Sequence, residues 1–196
     1  MGCGDGLFFP DLETLGSVRG VEADDRIVDP NGPYFDRIHL GRFDDSYQTN
    51  QQFDWIVMLD VLEHIPDATT ALKKARDLLN PDGRMLLTVP AFNLLWTKHD
   101  NYNHHITRYT KRLMGQQACQ AGFEIENQHY LFHWTFPAKL LVRLKESLSP
   151  TTPKPASLPG KVSNAILKTI CRFEQATLTQ LRPPFGSSLV VSLRKK

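Results

Sequence analysis

Apolar residues fall into two kinds of run along this chain. In the first they are continuous or alternate with polar ones: residues 17–22 (SVRGVE), 37–43 (RIHLGRF), 53–59 (FDWIVML), 85–89 (MLLTV), 123–133 and 187–194. Short runs rich in β-branched and aromatic residues predict strands. Residues 53–59 are apolar almost throughout, which predicts a central strand covered on both faces. In the second kind, apolar positions recur at helical spacing. Residues 7–15 predict a short helix. Pro66 and Asp67 open a helix that carries Ala68, Ala71, Leu72, Ala75, Leu78 and Leu79, and Asn80-Pro81-Asp82-Gly83 stops it. Residues 110–121 predict a capped helix closed by Gly122, and residues 137–148 (PAKLLVRLKESL) a basic amphipathic one. A proline-rich linker at 150–159 leads to a second apolar stripe over 161–181, through Val162, Ala165, Ile166, Ile170, Phe173 and Leu178.

Strands and helices alternate with short joints, so the expected fold is an α/β domain with a parallel, doubly wound sheet spanning residues 1–196. Residues 134–186 are expected to form a helical insertion or lid before a last strand that rejoins the sheet.

Composition narrows the setting. Of 196 residues, 41% are hydrophobic and 22% charged, an ordinary globular balance. No apolar run approaches the length of a membrane span, and the first residues lack the pattern of a secretory signal. Cys3, Cys119 and Cys171 form no CxxC pair, which argues against a disulfide framework and a zinc knuckle. The cytoplasm is the expected location, with peripheral contact at the inner face of the membrane as an open alternative. The net charge of +2 is unevenly spread. Residues 1–138 hold 12 Lys and Arg against 19 Asp and Glu, a net of −7, while residues 139–196 hold 11 against 2, a net of +9. The acidic part suits a cationic ligand; the basic part suits anionic lipid, an acidic substrate or a solvated face. Nucleic acid is not expected, because no recognition motif or aromatic platform accompanies the basic tail.

The chemistry begins at the first residues, MGCGDG. Gly2, Gly4 and Gly6 form a loop of the kind that leaves a buried strand and enters a helix. A dinucleotide fingerprint would place its next glycine at position 7, which is Leu7. Asp5 disfavours a pyrophosphate by charge and tolerates a cationic sulfonium. Glu22 ends the second predicted element and can accept both hydroxyls of a ribose. Residues 96–110 (WTKHDNYNHHITRYT) follow the 85–89 strand, and strand ends of such sheets form the ligand crevice.

The G-C-G-D-G loop, Glu22, Phe43-Asp44 and the segment Leu59-Asp60-Val61-Leu62-Glu63-His64 stand in the order and spacing of the class I S-adenosylmethionine-dependent methyltransferases. The chain resembles that family over almost its whole length, closest to bacterial enzymes of the ubiquinone-biosynthesis-like and small-molecule type. The resemblance implies a Rossmann-like fold with S-adenosylmethionine as cofactor, contacted by Gly2, Gly4, Gly6, Glu22, Phe43, Asp44, Leu59 and Asp60. It implies a small or lipid-like acceptor, with His99, Asn103, Arg108 and Tyr109 on the acceptor side. If the acceptor is a hydroxyl, His104 or His105 is the candidate base. No metal is expected, since the loop spacing of His99, Asp100, His104 and His105 sets no fixed geometry. The alternative is a methyltransferase-like module that binds a partner or a lipid surface without catalysis.

Two departures from the family pattern stand out. Arg42 follows Gly41 where an acid is usual, and the strand that ordinarily precedes the glycine loop is missing. The expectation is that about 30 or more residues belong upstream, and that the sheet is weakened between the 17–22 and 53–59 strands without them.

Overall fold

The computed structural model describes residues 1–44, 46–148 and 160–196. The predicted linker at 150–159 lies outside the described residues. The described residues form six strands and seven α-helices, in the order α1 (Phe9–Glu13), β1 (Gly20–Glu22), β2 (Ile38–Leu40), β3 (Phe53–Leu59), α2 (Ala68–Asp77), β4 (Leu79–Pro90), α3 (Lys98–Tyr102), α4 (Lys111–Gln120), β5 (Phe123–Leu131), α5 (Thr135–Leu148), α6 (Lys161–Ala176), α7 (Leu178–Leu181) and β6 (Ser188–Lys195). Side chains start the two helices that cover the core. Asp67 accepts from the Thr70 amide at 3.0 Å ahead of α2, and Thr110 accepts from the Leu113 amide at 3.2 Å ahead of α4.

The main sheet has the order β3-β4-β6-β5. β3 and β4 are parallel, and β6 inserts antiparallel between β4 and β5. β1 and β2 form a separate parallel pair. One face of the main sheet packs on α2 and α4: Ile56, Met58, Met85, Leu87, Val89, Leu189, Val191 and Leu193 join Ala71, Leu72, Ala75, Met114 and Ala118 in a single buried cluster. A smaller cluster of Phe9, Val28 and Ile38 lies under the β1–β2 pair.

Three expectations need correction. β3 is not covered on both faces. Ile56 and Met58 are buried in the cluster with α2, while Trp55, on the opposite face, is exposed; β3 is also the edge strand of the main sheet. On that edge the Met1 nitrogen donates to the Val57 carbonyl at 2.7 Å, while Gly2 donates to the Val21 carbonyl at 2.8 Å, so these two residues join the two sheets. Asn80–Gly83 does not stop α2: the helix ends at Asp77 with Leu78 as its C-cap, Leu79 already opens β4, and residues 80–83 bulge within that strand, so that Phe53 pairs with Leu79 and Trp55 with Arg84. The 161–181 helix is interrupted at Thr177 into α6 and α7.

Candidate functional site

Backbone geometry shapes the glycine loop. Gly2, Gly4 and Gly6 take φ of 62°, 54° and 79°, a region that strains any residue with a Cβ. A Cβ on Gly2 would lie 2.4 Å from Val61 Cγ2, and one on Gly6 would lie 2.8 Å from Tyr34 Cδ2, while one on Gly4 would meet nothing within 4 Å. The loop is therefore held at its two ends and open at its middle. Beside that opening lies Glu22, which accepts from the Gly4 amide at 2.8 Å and the Asp24 amide at 3.0 Å. A carboxylate offers about four lone-pair sites, so capacity remains for a ligand hydroxyl. Asp5 turns away and accepts from the Asp29 amide at 2.9 Å. Phe43 stacks near Tyr47 at 5.7 Å, and Asp44 closes a turn by accepting from the Ser46 amide and hydroxyl.

β3 ends in a left-handed residue, Asp60, whose amide donates to the Thr88 carbonyl at 2.9 Å. Its side chain reaches solvent, yet crowding by the surrounding chain outweighs the Thr88 hydroxyl and raises its pKa. One helical turn then carries Leu62, Glu63 and His64. Glu63 is 1% exposed, and neither of its carboxylate oxygens has a hydrogen-bond partner among the described residues. Burial pushes its pKa up to about 8.

Residues 97–109 fold around a second carboxylate. Thr97 caps α3, and Asp100 returns the capping bond to the Thr97 amide at 2.8 Å. Asp100 also receives Arg108 in two bonds, from Nε at 2.8 Å and Nη2 at 3.0 Å, and pairs with His105 Nδ1 at 2.8 Å. Burial would raise Asp100, but these donors, led by Arg108, hold it below the ordinary carboxylate range. Arg108 is fixed in turn by donating to the Ala91 carbonyl at 2.9 Å, where residue 109 bridges to the end of β4.

His105 thus presents Nε2 to the end of β3. That atom lies 4.0 Å from Glu63 Oε1, as does His64 Nε2, and the two imidazoles meet edge to face at 4.9 Å. The ligating atoms of Glu63, His64 and His105 lie within 4.8 Å of one another, a set that could hold a divalent cation with Asp100 fixing the His105 tautomer behind it. Burial, then the neighbouring His105, lowers the pKa of His64. α5 brings Lys139 to the same place, where burial and then Arg108 lower its pKa.

The predicted acceptor-side residues separate in the structure. Arg108 and Tyr109 are buried, with every Arg108 nitrogen committed to Asp100 or Ala91 and the Tyr109 hydroxyl donating to the Leu62 carbonyl at 3.4 Å. They position the site rather than line an opening. His99 and Asn103 pair with each other at 2.9 Å on the exposed face of α3. His104 is exposed with φ of 57°, whereas its neighbour His105 is turned inward. Sequence reasoning missed Asp100 as the hub, although Thr97-x-x-Asp100 is a capping-box signature. It also missed Glu63, whose apolar neighbours Val61, Leu62 and Ile65 were the available sign of burial, and Lys139, which left no local sign.

The methyltransferase-domain family matches residues 1–128. The ubiquinone biosynthesis O-methyltransferase of Bradyrhizobium diazoefficiens is 28% identical over 102 residues, covering 49% of this chain and 40% of that protein. The match therefore spans about two fifths of the curated relative's length. Among solved structures, a SAM-dependent methyltransferase from Archaeoglobus fulgidus superposes with a TM-score of 0.62 at 13% identity, over 99% of this chain and 83% of that one. Phosphoethanolamine N-methyltransferase 2 of Haemonchus contortus, in complex with S-adenosyl-L-methionine, gives 0.57 at 13% identity, over 99% of this chain and 47% of that one. At such identities the structural likeness is one of fold. The family match covers well over half of the chain and ends within β5, so it includes the glycine loop, Glu63 and the Asp100–His105 pair: the chain belongs to the methyltransferase-domain family.

Proposed function

We propose that this protein binds S-adenosylmethionine at the open glycine loop and transfers its methyl group to a small or lipid-like acceptor, with His105 as the base. Gly2, Gly4 and Glu22 would hold the nucleoside side, Phe43 and Asp44 the adenine, and Leu59 and Asp60 the methionine side. The fit rests on the opening before Gly4, which leaves room for a ligand, and on the acidic groups Glu22 and Asp60, which suit a cation. The cofactor supplies an electrophilic methyl for in-line displacement at carbon, so the protein's task is to position the acceptor and receive its proton.

The observation that carries the reading is the Asp100–His105 pair. In the neutral imidazole, donation from Nδ1 to Asp100 leaves Nε2 as the acceptor, 4.0 Å from Glu63 in the turn that follows β3, where a hydroxyl proton can be taken. That assembled pair, next to a buried carboxylate, supports an enzyme over a binding module without chemistry.

Titration calorimetry and transfer of a deuterated methyl into cell extract test the proposal together. The protein should bind S-adenosylmethionine and not NAD, and a product heavier by one labelled methyl should appear by mass spectrometry. His105→Ala should lower the transfer rate about 10²- to 10⁴-fold, the usual size of a general-base contribution, with cofactor affinity within threefold. Binding of NAD alone would sink the reading. An unchanged rate in His105→Ala would remove the histidine from the reaction.

A further inference from the structure

The methyltransferase reading leaves the two long helices between β5 and β6 without a use. α5 is oriented by its polar contacts: Arg143 donates to the carbonyls of Asn93 and Leu94 at 2.9 Å each, and Glu146 accepts from the Lys98 amide at 2.9 Å. The side turned away from those contacts carries Leu141, Leu144 and Leu148, with Leu141 69% and Leu148 84% exposed. α6 repeats the pattern. Val162, Ile166, Ile170 and Phe173 recur within an arc of about 80° at 100° per residue, and Val162 is 74% and Phe173 67% exposed. A helix of 16 residues is marginal in water without tertiary packing of its apolar face, yet the one buried residue of α6 is Glu174.

Charge identifies the occupant of that face. Lys161, Lys168 and Arg172 cluster on one side of α6, about 135° round the helix from the middle of the stripe at 100° per residue, and Lys145 borders the stripe of α5. The segment 139–196 has 11 basic residues against two acidic ones, and both acids point into the protein. Glu146 bonds Lys98, and Glu174 is buried against His133, accepting from its amide at 3.0 Å and pairing with its Nδ1 at 2.7 Å. The outward face is therefore apolar and cationic with no exposed carboxylate.

We infer that α5 and α6 seat the protein on an anionic lipid surface, the apolar stripes entering the headgroup region and Lys145, Lys161, Lys168 and Arg172 meeting lipid phosphates. Amphipathic helices with Lys and Arg beside an apolar face bind bilayers in this way. A second copy of the chain suits the face less well, because pairing would bring two strongly basic segments together. Through Arg143, α5 also forms the rim of the loop before α3, so docking would bring the candidate site to the lipid surface. That last point alone rests on the proposed activity.

The test is flotation of the full chain with vesicles of pure phosphatidylcholine and with vesicles that also carry phosphatidylglycerol. The protein should float with the anionic vesicles only, and less so as salt is raised. Lys168→Glu with Arg172→Glu should lower the partition coefficient at least about tenfold, since each cation near an anionic surface contributes roughly a factor of five. Val162→Ser with Phe173→Ser should do the same while far-ultraviolet circular dichroism and the affinity for S-adenosylmethionine stay at wild-type values. Recovery of folded wild-type protein at the bottom of both gradients would overturn the inference, as would equal flotation with both vesicle types. A vesicle-independent dimer abolished by Val162→Ser with Phe173→Ser would assign the face to a second copy and overturn it too. Flotation needs neither cofactor nor acceptor, so its failure would leave the methyltransferase reading intact.

Discussion

Glu63 has no hydrogen-bond partner for its carboxylate among the described residues, and burial lifts its pKa from 4.5 to about 8. An acid with a raised folded pKa contributes its full stability below the unfolded value near 4.5 and loses it as pH rises through about 8, at about 1.4 kcal/mol per unit of difference. Glu63→Gln has no charge to bury and should escape this loss. Urea denaturation at intervals from pH 5 to 8 should show the variant gaining on the wild type by a few kcal/mol at most, then running level above pH 8. Parallel profiles would mean that Glu63 ionises normally in the folded protein. At this scale the histidine candidates were legible as types but not as roles. His104 and His105 are adjacent, and only the capped turn around Asp100 turns one of them inward. That choice depends on Arg108 and the Ala91 carbonyl, which is 17 residues away in sequence.

The elements behave as their local chemistry dictates where they are self-contained. α2 follows from its Asp67 cap and its apolar positions, and α4 from Thr110 and the left-handed Gly122. The glycine loop allows a sharper test, because its residues are constrained in different ways. Gly2→Ala must strain φ and push against Val61, at about 1–2 kcal/mol for the backbone and about 1–3 kcal/mol for overpacking. Gly4→Ala meets only the backbone strain, but its new methyl enters the open space beside Glu22. Thermal melts should therefore show the larger loss for Gly2→Ala. Calorimetry should show Gly4→Ala weakening S-adenosylmethionine by at least about tenfold, about 1.4 kcal/mol. Equal losses in melting temperature would mean that the Val61 contact does not hold the loop. Strand β3 was read as central because its run is apolar, but the run does not record that Trp55 lies on an edge.

At the scale of the whole molecule, the described residues form two sheets with separate cores, and their stabilities should differ. The main cluster spans β3, β4, β5, β6, α2 and α4, whereas Phe9, Val28 and Ile38 form a small one under the three-residue strands β1 and β2. A two-stranded unit is marginal by itself. Hydrogen exchange should be slowest at Met85, Leu87, Leu189 and Val191, and faster by orders of magnitude at Val21 and His39. Uniform protection would show that the Met1 and Gly2 bonds couple the two sheets into one cooperative unit. Sequence alone determined the fold class, the order of most elements, the glycine loop with its acidic partner Glu22, and the family. These depend on periodicity, caps and spacing, which are written along the chain. Tertiary structure decided that β6 inserts between β4 and β5, that β3 is an edge, that Asp100 organises Arg108 and His105, and that Glu174 is buried on His133. Each of these follows from which distant segments share a low-dielectric interior, where a charge must find its partner. Spacing along the chain does not encode that proximity.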